Sequence, residues 1–104
     1  MTDRVDLLIA ILLDRTARED ERHDAAMDIG AYNDDRALNI LTRLGSDPSE
    51  DNLILDACGE SLAEILVVRN EFRREVIEGL TPIAKKMAYA YIKDAKPEWL
   101  DKTH

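Results

Sequence analysis

Helix punctuation recurs along this chain at intervals that suit only a fold of short helices. "TARE" (16–19) has a capping-box pattern, with Thr16 at the cap and Glu19 three residues on. "DPSE" (47–50) repeats it with Asp47 and Glu50, and Pro48 then takes the first helical position, where its missing N–H is no loss. Thr81-Pro82 gives the same cap-then-proline signal. Asn33 can cap a helix whose first turn carries Asp34 and Asp35, both suited to the positive end of the helix dipole. Gly30, Gly45 and Gly79 stand where C-terminal stops belong. Sustained period-two alternation and Asn-Gly hairpin signals are missing.

The spacing predicts an all-α fold with helices over about 3–14, 17–30, 34–44, 48–66, 71–79 and 82–94, and a short turn at "PEWL" (97–100). Short connections make successive helices antiparallel neighbours. At 104 residues the chain is expected to form a single helical domain, 1–104.

A shift of 33 residues lays "ERHDAAMDIG" (21–30) over "ILDACGESLA" (54–63). Ala25 then falls on Cys58, Ala26 on Gly59, Ile29 on Leu62 and Gly30 on Ala63. Small side chains let a neighbouring helix approach closely, and the aliphatic fills the seam. The helices that follow match more loosely. Ala37, Ile40, Leu41 and Leu44 form one stripe, and Phe72, Val76, Ile77 and Leu80 another, both at helical spacing.

On these residues the chain resembles HEAT-like repeat proteins, of the short kind found in phycobilisome lyases. Arg22, Ala25, Ala26, Ile29, Gly30, Asp35, Arg36, Ala37, Leu38, Leu41, Leu44, Asp47 and Pro48 carry the resemblance, continued by Cys58, Leu62 and Ile65. It covers about 21–66. Leu55 stands where the repeat favours arginine, and "VVRN" (67–70) lengthens the second corner. The resemblance implies a short right-handed α-solenoid of about two helix pairs with flanking capping helices. The second helix of each pair would lie on the concave side, where Asn39 and Arg43, off the apolar stripe, could line it. Each pair would bury its apolar face on the next. An irregular helical bundle is the other architecture.

The charge is uneven. The net is −8, but residues 1–64 hold 16 acids and 6 bases, whereas residues 65–104 hold 6 acids and 8 bases. Such a balance repels phosphate, which argues against nucleic acid. It favours a basic protein partner, or else is simply a solvated surface. The run "LLIAILL" (7–13) is far shorter than the roughly 20 residues of a membrane span. With one cysteine and no secretory signal, the expected setting is cytoplasmic, away from membranes.

Candidate chemistry is sparse. His23 has Asp20 and Glu19 three and four residues back, but no HExxH or paired-histidine spacing accompanies it, so it reads as a surface imidazole and no metal is expected. Cys58, between Ala57 and Gly59 on a packing face, reads as a small buried hydrophobe rather than a nucleophile. Glu60 and Glu64 lie one turn apart, and nothing in the sequence supplies a pocket to shift either pKa, so they read as a wet helix face. Trp99 is expected to fold back over the last helix, with an aromatic contact patch at "MAYAYI" (87–92) as the alternative. "LLIAILL" is apolar all round, which implies deep burial of the first helix or contact with a partner or second copy.

These readings favour a non-catalytic protein-binding module without cofactor. Its concrete form is an acidic immunity protein that neutralises a basic toxin such as a nuclease; small immunity proteins are similar in size and charge. Asp34, Asp35, Glu60, Glu64, Asn39 and Arg43 are the expected partner-binding residues. The alternatives are a lyase- or chaperone-like factor for cofactor attachment, implied by the family resemblance, and an adaptor in a larger complex.

Overall fold

The longest helix forms where the sequence keeps small and aliphatic residues in register without interruption. The structure, a computed structural model, describes residues 2–100. It contains α1 (Arg4–Leu13), α2 (Glu19–Ile29), α3 (Asp35–Gly45), α4 (Asn52–Arg69), α5 (Arg74–Glu78) and α6 (Pro82–Ala95), then a 3-10 turn at Pro97–Trp99. No strand occurs among the described residues. The fold is all-α.

α4 is the centre of the molecule. α2, α3 and α6 all pack on it, α1 lies across α2 and α3, and α5 touches α6. The core is continuous, running from Leu8 and Leu12 through Ala26, Ile29 and Leu41 to Leu62, Ile65, Ala88 and Ile92. This central-helix arrangement fits an irregular bundle. The 33-residue register does not continue through the second corner. Where the first unit turns, at Gly30 to Asp34, the second continues as helix through Ala63 to Val67. Those positions hold Ala63, Ile65 and Leu66, helix-compatible residues that are fully buried. α4 therefore runs to Arg69 and ends in a Schellman motif. Asn70 takes the left-handed conformation (φ 55°, ψ 45°), with Glu71 N–H donating to Leu66 O and Asn70 N–H to Val67 O, each at 3.0 Å. The expected helix over 71–79 shrinks to α5.

Three starts differ from their sequence signals. α2 begins at Glu19, because Thr16 donates its N–H and hydroxyl to the Asp14 carboxylate and closes a turn instead. The Glu21 carboxylate, not that of Glu19, reaches back to the Arg18 N–H, at 3.4 Å. α3 is capped by Asp34, which accepts from Arg36 N–H at 2.8 Å, while Asn33 accepts from Arg69. α4 begins after Asp51, whose carboxylate accepts from Leu53 N–H. Asp47 instead closes a turn by accepting from the Ser49 N–H and hydroxyl, with Pro48 inside that turn. Thr81-Pro82 opens α6 as expected, although the Thr81 hydroxyl donates to Gly45 O rather than into its own helix.

The glycines at helix ends have negative φ, so they are not left-handed stops. Close approach explains two glycines better. A Cβ on Gly30 would meet Ser61 Cβ at 2.8 Å, and one on Gly59 would run into the Ala84 backbone, with the carbonyl carbon at 2.8 Å. Among the described residues no helix is long and apolar enough to cross a membrane.

Candidate protein-binding surface

The expected contact residues fall on separate parts of the surface. Asp34 and Asp35 open α3, where both are held by arginines. Arg36 gathers Asp3, Asp6 and Asp34 at 2.8–2.9 Å, which ties the start of α1 to the start of α3. That guanidinium, with Arg36 N–H, holds the Asp34 carboxyl down at about 2. Asp35 meets Arg69 at 2.6 Å. Asn39 and Arg43 do come together, in a shallow groove of about 310 Å3 against Ile9, Leu13 and Ile40. Glu60 lies elsewhere, beside Met87, Ala90, Tyr91 and Asp94 of α6 in a depression of about 220 Å3. Glu64, partly buried, is pushed above the usual carboxylate range by desolvation and by the charge of Glu60. The same two carboxylates, after burial, help raise Tyr91.

Burial removes Cys58 from chemistry. Its thiol is fully enclosed, and desolvation pushes it up to about 12. His23 is one-third exposed, with Asp24 at 3.8 Å. No group of three or more His, Cys, Asp or Glu is placed to hold a metal ion among the described residues. Trp99 folds back as expected, but its ring stacks on Phe72 at 5.1 Å between centroids, with Lys96 over the indole face. α6 is thus joined to the segment before α5.

The sequence reading missed a buried ion pair. Arg22 is only 5% exposed and Glu50 4%. The Arg22 guanidinium donates to both Glu50 oxygens at 2.8 Å, and to the Leu12 carbonyl at 2.7 and 3.1 Å. Leu12 lies in the last turn of α1, where carbonyls lack intrahelical donors. One side chain thereby binds α1, α2 and the turn before α4. Arg22 holds Glu50 below the usual carboxylate range despite its burial. Arg15 adds a second cation, 3.4 Å from Glu50. The signal was present: Arg22, Ala25, Ala26 and Ile29 share one face of α2, so spacing alone places the arginine inward.

A second feature emerges between α1 and α2. α1 buries Val5, Leu8 and Leu12 but leaves Leu7, Ile11 and Leu13 between 37% and 50% exposed. The expected deep burial of "LLIAILL" therefore holds for one side only. Beside Ile11, α2 presents Glu21, Asp24 and Asp28 at i, i+3 and i+7, one face of the helix. These residues line a groove of about 450 Å3 floored by Leu8, Ala10, Ile11, Ala17 and Ala25, with Asp14 at one end and Arg4 at the other. Arg4 approaches Asp28 at 3.6 Å. Among the described residues no Lys or Arg side chain lies within ion-pair distance of Asp14, Glu21 or Asp24.

Compared with protein-family models, curated proteins and solved structures, the chain finds no match.

Proposed function

We propose that this protein is a non-catalytic binding module for a basic protein, and in its most concrete form an immunity protein that neutralises a basic toxin such as a nuclease. The observation that supports this reading is the surface of α1 and α2, where exposed Ile11 is bordered by carboxylates, of which Asp14 and Glu21 have no Lys or Arg within ion-pair distance among the described residues. Apolar contact supplies affinity at a protein interface, and unpaired charge of one sign speeds capture of an oppositely charged partner. A toxin that binds nucleic acid must carry a cationic cleft, and an acidic domain can occupy it. A cofactor-attachment factor, the alternative implied by the family resemblance, would want an accessible thiol or histidine, and the Cys58 thiol is enclosed.

The test is coexpression. The product of each adjacent gene is expressed alone and together with this chain. Growth arrest by a basic neighbour, relieved by the chain, is the expected result. If no basic neighbour is toxic, or toxicity persists with the chain present, the immunity reading fails.

A further inference from the structure

We propose that the α1–α2 groove is a docking site for a basic amphipathic helix, a segment of about ten residues with an aliphatic stripe flanked by lysine or arginine. The inference rests on the binding-module reading above and names the kind of segment and its seat. Three observations carry it. The floor is apolar and open at Ile11, and Leu7, one turn back on α1 and outside the lining, is exposed as well. The α2 wall repeats carboxylates at helical spacing, Glu21, Asp24 and Asp28, so a helix lying parallel to α2 would meet one charge per turn. The groove runs along α1, whose ten residues span about 15 Å, close to three helical turns.

Charge decides between occupants. A second copy would bring another −8 and set its own acidic wall beside this one. A neutral apolar helix would leave Asp14, Glu21 and Asp24 without cations at the edge of a partly desolvated contact. A helix with Lys or Arg flanking its apolar stripe satisfies both the floor and the wall. Its cations would sit at the rim, where they govern approach more than residence.

The probe is a synthetic helical peptide of Leu and Lys, about fourteen residues long, with Leu at i, i+3, i+4 and i+7. A scrambled peptide of the same composition and a Leu/Glu analogue are the controls. Amide chemical shifts of the labelled full chain report the binding site. The expected perturbations centre on Leu8, Ile11, Ala17, Asp24 and Asp28, with the scrambled and Leu/Glu peptides binding at least tenfold more weakly.

Leu7→Gln with Ile11→Gln should weaken binding tenfold or more at low and high salt. Asp24→Asn with Asp28→Asn should weaken it chiefly at low salt, because rim charges are screened. These positions are exposed, and circular dichroism verifies that each variant is folded. Perturbations spread over every acidic surface, or centred on Glu60 and Glu64, would overturn the proposal. Concentration-dependent dimerisation abolished by the Leu7/Ile11 variant would also overturn it, in favour of a second copy. Docking without toxin relief refutes the immunity reading alone. Toxin relief undisturbed by both double variants refutes the groove alone.

Discussion

The face of α4 that meets α2 and the face that meets α6 are packed by different means. Toward α2 the contact is partly polar. Ser61 donates to the Ala26 carbonyl at 2.6 Å, and the Arg22–Glu50 pair closes the end near the start of α4. Toward α6 it is dry and close, with Gly59 against the Ala84 backbone and Ala84, Ala88 and Ile92 fully buried. The polar contact depends on partners being present, because a buried charge without its counter-charge is costly. The dry contact depends on atoms being absent, because a Cβ at Gly59 has no space. One helix thus meets two neighbours under opposite requirements. α2, the helix on the polar side, also supplies the acidic wall of the groove.

Removing one partner from the polar side gives the largest expected loss. Glu50→Ala leaves Arg22 charged and enclosed, and should cost about 3–5 kcal/mol in urea denaturation. Replacing both, as Arg22→Met with Glu50→Leu, should recover much of that loss. A single variant as mild as the double would show that the pair is not desolvated. The same pair predicts a pH profile. Glu50 has a folded pKa below its ordinary value, so its stabilisation is present above the ordinary carboxylate range and is lost as pH falls through the lowered value. Stability of the parent should drop on acidification below about pH 4, and the profile of the double variant should be flatter there.

On the dry side, Gly59→Ala should cost about 1–3 kcal/mol, since the backbones of α4 and α6 must separate to admit the methyl group. Calorimetry of this variant showing no loss would mean that the α4–α6 contact is looser than the geometry describes. The smallest effect belongs to Gly79→Ala. Its φ is −81°, and a Cβ there meets only carbonyl oxygens at 3.6 Å, an ordinary contact. Alanine should leave stability unchanged or raise it by about 0.4–1 kcal/mol. Destabilisation by this change would show that the glycine has a steric role like that of Gly59.

Periodicity and punctuation made the helices legible, including Thr81-Pro82 at the start of α6 and the inward faces of Ala25, Ala26, Ile29 and Cys58. Local composition was enough because amphipathic spacing and caps act within a few residues. The surroundings of the expected contact residues were less legible. Asp34 and Asp35 read as first-turn carboxylates and expected partner contacts, yet Arg36 and Arg69 reach them, the latter from 34 residues away in sequence. The acidic stripe of α2 was visible as charge, but its apolar neighbour comes from α1.

The sequence by itself determined the all-α class, the small-residue seams and the burial of Cys58, because each follows from residue type at helical spacing. Only the tertiary structure decided that α4 would run through the second corner, that Glu50 would leave its capping role for Arg22, and that α1 would leave Ile11 exposed beside the carboxylates of α2. In the last two cases the deciding partner lies on another helix. Local preference proposes a cap or a corner, but burial against a distant neighbour is worth more than a single cap, so the tertiary contact prevails.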